Sequence, residues 1–299
     1  MRHYRFEAGH WQPLSHCPPP DGLLLGYSVF TTLRWPLESC WLRAHLKRLE
    51  RDAQAAGLEP LGPVPATEEA LALALPMPER QAVLRITGFP VGVTAQAFFR
   101  GTPLPLATQW WCSLRGPAPV LAERATPPDL RLHPLRYEHP SPGTKHGSLF
   151  GSLNARLRLA GPDEELLWLG ADGQACETTT GAFFALGADG SLQAPPAGRC
   201  LPSVTRRQVQ VACNGLGVPW REAALPEETL SGLAGAFVGN AVQGLRAVRS
   251  IGGYALPWPP LALDAWRRIY ADYSASATAC PTTSCTLTPV ARTPGRASS

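Results

Sequence analysis

Hydrophobic and polar residues recur with two different periods along this chain, and the period separates predicted helices from predicted strands. Between residues 40 and 56 the apolar positions follow steps of four and three, which is typical of a helix with one buried face, and Gly57 is a suitable end for it. Residues 259–273 are predicted to form a last amphipathic helix. The apolar positions of these two helices are Leu42, Leu46, Leu49, Ala53 and Ala56, and then Leu261, Leu263, Trp266, Ile269 and Tyr270.

Short apolar runs rich in β-branched and aromatic residues predict strands elsewhere. Turn sequences at 171–173 and 187–190 bound one of these runs and predict a hairpin. Two further helices are predicted, one with Thr67 as its N-cap and one over Ser148–Ala160. The predicted strands are the second half of 23–34, then Val83–Gly88, Thr94–Phe99, Gln109–Leu114, Glu165–Leu169 and one long strand from about Gln174 to Leu186.

The Gly- and Pro-rich segment 116–119 divides the chain. Such a segment is typical of a linker, so we predict a smaller N-terminal domain over residues 1–115 and a larger C-terminal domain over residues 120–273. From residue 274 onward the chain is mostly Ser, Thr, Ala and Pro, and it has too little hydrophobic content to bury a core. Residues 274–299 are therefore predicted to form a disordered tail.

Composition and charge exclude several classes of protein. At 299 residues the chain can bury a substantial core, and 44% hydrophobic with 17% charged residues is typical of a soluble globular protein. The net charge of +4 is scattered, which argues against a nucleic-acid partner. No apolar run is long enough to cross a bilayer, and the N-terminus has no apolar signal core, so a cytoplasmic protein is expected. Eight cysteines and seven histidines include no C-x-x-C pair and no i, i+4 histidine pair, so we predict no metal site.

The stretch 165–206 carries the most informative polar residues. Glu177 lies in a run that is otherwise suited to burial, and a buried carboxylate needs a cationic or proton-bearing partner. Ser203 has the character of a helix N-cap, and the free N–H groups of a helix N-terminus bind phosphate. One ligand with a ring nitrogen at one end and a phosphate near the other would satisfy both features. Pyridoxal phosphate is such a ligand.

Lysine is rare in this chain, which has Lys47 and Lys145 beside 25 arginines. Schiff-base chemistry needs an amine that can lose its proton, and arginine cannot do so. Lys47 belongs to the helix at 40–56 and has no apolar setting to lower its pKa. Lys145 is therefore the candidate nucleophile.

Several of these segments, in their order along the chain, resemble the motifs of the class IV aminotransferase family, the fold-type IV pyridoxal-phosphate enzymes. The matching segments are Gly26 with Phe30 and Thr32–Arg34, then His45–Leu49, then Glu177–Thr179, then Leu201–Arg206, and finally Asn240-Ala241. The resemblance covers roughly residues 22–253, and Ser203 stands where the family usually has glycine.

The resemblance implies a two-domain α+β fold, with a small N-terminal α/β domain and a larger C-terminal domain around a barrel-like sheet. It implies pyridoxal 5'-phosphate between the domains, with Lys145 attached to it and Glu177 on its ring nitrogen. A small-molecule substrate and a homodimer are also implied. The expected phosphate ligands are Arg48, Val204, Thr205, Asn240 and Ala241, and the expected substrate contacts are Thr31, Arg85 and Thr179.

Some of these roles have simpler alternatives. Arg85 is equally compatible with the edge of the core and with the active site, and Asn240 could merely cap its own backbone. Arg48 would be interpreted as a solvated helix residue if it did not belong to the motif.

Within the family, three residues favour 4-amino-4-deoxychorismate lyases. Thr31 stands where many aminotransferases have glutamate, Phe150 where branched-chain aminotransferases have tyrosine, and His146 follows the lysine as in the lyases. The lyase reaction yields p-aminobenzoate and pyruvate for folate synthesis. The alternatives are an aminotransferase for D-amino or branched-chain amino acids, and a degenerate member kept as a binding protein.

Overall fold

The computed structural model describes residues 2–14, 26–92, 101, 104–119, 128–159 and 161–276, and these residues form two sheets with helices packed against them. The strands of the N-terminal sheet are β1 (Arg2–Glu7), β2 (His10–Leu14), β3 (Val29–Trp35), β4 (Ala82–Pro90) and β5 (Thr108–Arg115). They are antiparallel and lie in the order β2-β1-β5-β4-β3.

Two helices cover one face of the N-terminal sheet, α1 (Ser39–Ala55) and α2 (Val64–Ala74). Side chains alternate across a strand, so β3 divides its residues between the two faces. Leu33 packs into the core under the helices with Leu42 and Leu46, whereas Phe30 and Thr32 face the opposite side. This alternation leaves the second face of the sheet available to form a wall of the site described below.

The second sheet closes into a barrel. In the described part of the chain, six strands follow the order β9-β12-β13-β6-β7-β8, and the pairing of β8 with β9 completes the ring. A β10–β11 extension continues from β9, and β14 pairs with β13. These strands are β6 (Leu130–Arg136), β7 (Glu164–Leu169), β8 (Ala175–Thr178), β9 (Ala182–Leu186), β10 (Leu192–Ala194), β11 (Trp220–Glu222), β12 (Gly235–Asn240), β13 (Gly244–Ile251) and β14 (Tyr254–Ala255).

Strand β9 is buried on both faces, because helices cover the outside of the barrel there. Phe183 and Ala185 belong to the core that strands from around the barrel share, and Phe184 belongs to a separate core under the helices. Continuous apolar runs are typical of strands buried in this way. The helices outside the N-terminal sheet are α3 (Phe150–Arg156), α4 (Val204–Leu216) and α5 (Pro260–Ser276), and a 3₁₀ helix spans Glu227–Gly232.

The structure confirms the predicted α+β class and the barrel-like sheet. Ser203 is the N-cap of α4, as predicted, and Gly57 follows the end of α1 with a positive φ of 64°. Within the described residues, no helix combines the length and apolarity needed to cross a membrane.

Four predictions about elements were wrong. The long strand over Gln174–Leu186 is two strands, because the chain turns at residues 179–181. Thr67 is not an N-cap, since α2 begins three residues earlier and buries that side chain. The helix expected over Ser148–Ala160 spans only Phe150–Arg156, and Ser274 continues α5 rather than beginning a tail.

Three further predictions concern the last helix and two segments outside the described residues. The apolar face of α5 is buried at Trp266, Ile269 and Tyr270, but Leu261 at its start is 65% exposed. The predicted strand Thr94–Phe99 and the tail beyond residue 276 lie outside the described residues.

We expect Gly181→Ala to destabilise the barrel where β9 begins. A Cβ atom at this position would lie 2.5 Å from the Gly239 carbonyl oxygen on β12, and a backbone atom cannot move aside cheaply. Overpacking of this kind costs about 1–3 kcal/mol. Denaturant unfolding would measure the loss. Gly232→Ala is the matched control, because nothing lies within 4 Å of its Cβ position, and equal stability of the two variants would contradict the prediction.

Candidate active site

A cavity of about 330 Å³ lies between the N-terminal sheet and the barrel. Its walls come from β3, α1 and the end of β5 on one side, and from β8, the start of α4 and the turn after β12 on the other. The segment 139–149 crosses between them. The cavity therefore receives side chains from parts of the sequence that are far apart.

Backbone contacts fix Lys145 at the rim of the N-terminal sheet. The N–H of Phe30 donates to the Lys145 carbonyl at 3.0 Å, and the N–H of Gly147 donates to the Ser28 carbonyl at 2.7 Å. The Lys145 N–H donates to the Asp52 carboxylate at 3.2 Å. These bonds continue the edge of β3 and direct the side chain of Lys145 into the cavity, with its Nζ atom 4.9 Å from the centre of the Phe30 ring.

Burial changes the protonation of the two central groups in opposite directions. It lowers the pKa of the Lys145 amine to about 8, with a contribution from the Arg48 charge, while the Glu177 carboxylate acts in the other direction. Burial also raises the pKa of Glu177 to about 7, against the attraction of Lys145 and a hydrogen bond of 3.3 Å from the Leu201 N–H. A lysine and a glutamate that titrate near neutral pH in one cavity are typical of a catalytic site.

The N-terminus of α4 forms one end of the cavity. The Ser203 hydroxyl accepts a hydrogen bond of 3.1 Å from the Arg206 N–H and thereby caps the helix. Val204 and Thr205 line the cavity. They are the first residues of α4, so their N–H groups have no hydrogen-bond partner within the helix. This end of the cavity can bind an anion, as the sequence predicted.

The turn after β12, at residues 240–243, lies beside the start of α4. The Asn240 side-chain oxygen accepts the N–H groups of Val242 and Gln243 at 3.0 and 2.8 Å. The simpler alternative for Asn240 is therefore correct for this oxygen, which caps its own turn. Because the N–H groups of Val242 and Gln243 donate to this oxygen, the donors of the turn that remain for an anion are the Ala241 N–H and the NH2 group of the Asn240 side-chain amide.

Arg48 is buried under the cavity rather than solvated. It pairs with Asp52 one helical turn later and donates to the Phe30 carbonyl at 3.2 Å. Burial lowers its pKa from the usual value even though Asp52 opposes that effect. Because Asp52 also accepts the Lys145 N–H, one carboxylate links Arg48 to the lysine segment.

Two of the three expected substrate contacts, Thr31 and Arg85, are not among the described residues that line the cavity. Thr31 is fully buried and its hydroxyl is 2.8 Å from Nδ1 of His45, whereas Thr32 lines the cavity. The expectation for Thr31 was wrong because alternation along β3 turns it toward α1. Arg85 is paired with Thr32 across β3 and β4, and its guanidinium stacks 3.7 Å from the centre of the Phe30 ring, but it is not among the described residues that line the cavity. Burial lowers its pKa to about 10, and the neighbouring charge of Arg115 adds to the effect.

Thr179 lines the cavity, but its hydroxyl binds a carboxylate that the sequence reasoning missed. Glu165 on β7 is buried and accepts hydrogen bonds from Thr179, from Thr180 at 3.0 Å and from the Leu166 N–H at 2.9 Å. Arg156 at the end of α3 pairs with the same carboxylate at 3.1 Å. Glu165, like Glu177, is a carboxylate in an apolar run, so its need for partners is visible in the sequence.

Two histidines form part of the wall near Lys145. The rings of His139 and His146 lie 4.8 Å apart, and both side chains line the cavity. Burial lowers the pKa of each, which favours the neutral form of both rings. His45 also lines the cavity, and burial lowers its pKa to about 3, which agrees with a structural hydrogen-bonding role.

These groups fit a phosphorylated pyridine aldehyde. Lys145 supplies an amine that is partly neutral near pH 8, Glu177 supplies a buried acceptor for a ring N–H, and the N-terminus of α4 supplies donors for a phosphate. Within the described ranges, no group of three or more His, Cys, Asp or Glu residues is arranged to hold a metal ion.

Most of the chain matches the model of a known family. Residues 28–251 match the family model of class IV aminotransferases. No curated protein matches this chain.

Solved structures share the fold over nearly the whole chain. Branched-chain amino acid aminotransferase from Escherichia coli aligns with a TM-score of 0.74 at 18% identity, over 95% of this chain and 98% of that one. A hypothetical aminotransferase from Mycobacterium tuberculosis, in its PLP-bound form, aligns with a TM-score of 0.70 at 18% identity, over 92% and 99%. The 4-amino-4-deoxychorismate lyase from Pseudomonas aeruginosa aligns with a TM-score of 0.70 at 20% identity, over 90% and 98%. Likenesses at these identities show the fold alone.

We expect Lys145 to react with acetic anhydride at lower pH than an ordinary lysine. Only the neutral amine is nucleophilic, so labelling of Lys145 should be low below pH 8 and should rise through a midpoint at about pH 8. Peptide mass spectrometry after brief labelling at a series of pH values would measure it, with the exposed Lys47 as internal reference. Parallel labelling of the two lysines at every pH would contradict the lowered pKa.

We expect Glu165→Gln to destabilise the fold by about 1–3 kcal/mol, because a neutral amide replaces the buried charged acceptor of Thr179, Thr180 and Arg156. Chemical denaturation would measure the change. Glu164→Gln is the matched control, since that neighbouring carboxylate pairs with the half-exposed His133 at 3.3 Å and its loss should cost under about 1 kcal/mol. Similar losses in the two variants would argue against the anchoring role of Glu165.

Proposed function

Because the chain belongs to the class IV aminotransferase family of pyridoxal-phosphate-dependent enzymes, we propose that it is a 4-amino-4-deoxychorismate lyase that produces p-aminobenzoate and pyruvate. Pyridoxal 5'-phosphate would occupy the cavity, joined to Lys145 and directed toward Glu177. Val204, Thr205 and Ala241 would hold its phosphate. Arg48 would support that end through its charge, since its hydrogen bonds already engage Asp52 and Phe30.

Glu177 has a distinct task in this proposal. The bound cofactor supplies an electron sink for a carbanion, and that sink is strongest when the pyridine nitrogen keeps its proton. A carboxylate held near the nitrogen stabilises that proton, and burial strengthens the interaction because the surroundings are poorly polarisable. The Leu201 N–H holds the carboxylate in place from the other side.

Lys145 would act as the general base once the substrate has displaced it. Its amine would take the proton from the substrate ring carbon, and the bond between the ring and the enolpyruvyl oxygen would break. The same proton would then pass to the methylene carbon of the departing group, which leaves as pyruvate. A base with a pKa of about 8 suits this transfer near neutral pH.

The observation that carries the choice of substrate is the charge of the cavity wall. Among the described residues that line it, Glu177 is the only carboxylate, whereas Arg48, Arg115 and Lys145 are cationic. Arg48 is offset by Asp52 behind the wall, whereas Arg115 at the end of β5 is an exposed cation that also lines the cavity. Aminodeoxychorismate, whose two products each carry a carboxylate, would bring two negative groups to this wall, whereas a branched-chain amino acid would bring one carboxylate and an apolar side chain.

Two of the sequence arguments for the lyase carry less weight once the side chains are placed. Thr31 faces α1, and Phe150 is 81% exposed at the start of α3, so neither substitution alters the cavity wall directly. His146 does line the cavity next to Lys145. The proposal therefore depends on the charge of the wall and on His146.

We propose that the enzyme is a homodimer and that it works in the cytoplasm. Phe150, Leu153 and Leu157 form an exposed apolar stripe along and just after α3, and such a stripe is typical of a surface that is covered in an assembly. The five described cysteines are unpaired, as in a reducing compartment.

We expect the purified holoenzyme to form p-aminobenzoate from aminodeoxychorismate without an added ketoacid. Fluorescence or chromatography of p-aminobenzoate would measure it, beside a panel of D-alanine and leucine with ketoacids. Lys145→Ala should abolish the activity, because Lys47 lies exposed on α1 and cannot replace it.

The control for that assay is Lys47→Ala, which should keep wild-type turnover. Efficient transamination of D-alanine or leucine with no p-aminobenzoate would establish the aminotransferase alternative instead. Retained p-aminobenzoate formation by Lys145→Ala would contradict the role given to this lysine.

A further inference from the structure

Arg34 on β3 binds the C-terminal part of the site although it belongs to the N-terminal sheet. Its side chain is buried, and one guanidinium nitrogen donates to the Val242 carbonyl at 2.5 Å and to the Pro119 carbonyl at 2.6 Å. The other donates to the Gln81 side chain at 3.2 Å. One planar group with several fixed donors thus joins the sheet, the segment after β5 and the 240–243 turn.

The 240–243 turn has a second anchor on the last helix. Tyr273 of α5 is buried, its hydroxyl lies 3.5 Å from the Asn240 carbonyl oxygen, and it also contacts the side chain of Thr205 at the start of α4. Burial raises the pKa of Tyr273 to about 12, so its hydroxyl keeps its proton and remains a donor. Tyr273 therefore touches both elements at the anion-binding end of the cavity.

The geometry of the peptide bond connects these anchors to the cavity. In a planar trans peptide the C=O and the following N–H point in opposite directions. When Tyr273 holds the Asn240 carbonyl, the Ala241 N–H points away from α5, and Ala241 lines the cavity. Arg34 donates to the Val242 carbonyl of the same turn. The N–H groups of Val242 and Gln243 donate to the side-chain oxygen of Asn240.

We propose that Arg34 and Tyr273 are positioning residues that set the 240–243 turn for the phosphate group of the cofactor. Neither would contact the phosphate in this arrangement. They would act through Ala241 and Thr205, which line the cavity and would hold it. The proposal rests on pyridoxal phosphate as the cofactor of the proposed function, but not on the choice between lyase and aminotransferase.

A consequence is that phosphate binding and the seating of the N-terminal sheet on the barrel depend on each other. If the contacts of Arg34 hold the 240–243 turn ready for phosphate, then bound phosphate stabilises those same contacts, because coupling between two equilibria is reciprocal. Arg34 carries this coupling because its carbonyl partners Pro119 and Val242 belong to different segments.

The test compares pyridoxal phosphate with pyridoxal, which lacks the phosphate. Dissociation constants of both would be measured by absorbance and fluorescence titration of the apo form of the full chain, for wild type, Arg34→Lys and Tyr273→Phe. We expect each variant to bind pyridoxal phosphate roughly tenfold more weakly, the lower end of the loss found when an outer partner of a metal ligand is removed, and pyridoxal within about twofold of wild type.

The controls make the same two kinds of substitution at residues that do not contact the 240–243 turn. Arg249→Lys changes an exposed arginine of β13, and Tyr4→Phe removes the hydroxyl of a buried tyrosine in the N-terminal core. Both should bind the two ligands as wild type does. Should Arg34→Lys fail to fold, Tyr273→Phe still gives the ratio, because it removes one hydroxyl and keeps the ring packed in the core.

The outcomes separate the possibilities. Equal weakening for both ligands would mean a merely structural role and would overturn the proposal, as would no change for either ligand. Wild-type protein that binds no pyridoxal phosphate would overturn it together with the proposed cofactor. Tight phosphate-dependent binding without p-aminobenzoate formation would overturn the lyase alone, and the expected ratio would still support Arg34 and Tyr273.

Discussion

The burial of an amine and a carboxylate in one cavity is the constraint on which the rest of the structure depends. Lys145 and Glu177 each lose much of their hydration, and their pKa values move toward neutral pH from opposite sides because of it. Such a pair is tolerable only where the surrounding structure fixes both groups. The barrel strand β8 fixes Glu177, and the edge of β3 fixes the backbone of Lys145.

Asp52 has a central part in that arrangement. It lies on α1, buried beneath the cavity, where it neutralises Arg48 and accepts the backbone N–H of Lys145. A single carboxylate therefore sets the local charge and the position of the lysine segment together. The N-terminal part of the chain therefore does more than form one wall of the cavity. Its helix α1 carries Asp52, which positions the backbone of Lys145 and with it the amine.

A second buried carboxylate organises the opposite wall. Glu165 draws the hydroxyls of Thr179 and Thr180 toward the interior of the barrel and holds Arg156 from α3. The turn that separates β8 from β9 is therefore fixed by side-chain bonds where the strand ladder is interrupted. Arg34 and Tyr273 hold the 240–243 turn through its carbonyls, so both turns of the cavity wall are anchored from behind.

The sequence by itself determined the class of fold, the family and the residues with distinctive chemistry. Apolar periodicity located α1 and most strands, the rarity of lysine identified Lys145, and the cap at Ser203 marked the start of α4. The face that Thr31 presents, the partners of Glu165 and Arg34, and the break between β8 and β9 required the tertiary structure. The physical reason is that periodicity describes one element at a time, whereas the face a strand residue presents, and the partner of a buried charge, depend on which distant segment packs against it.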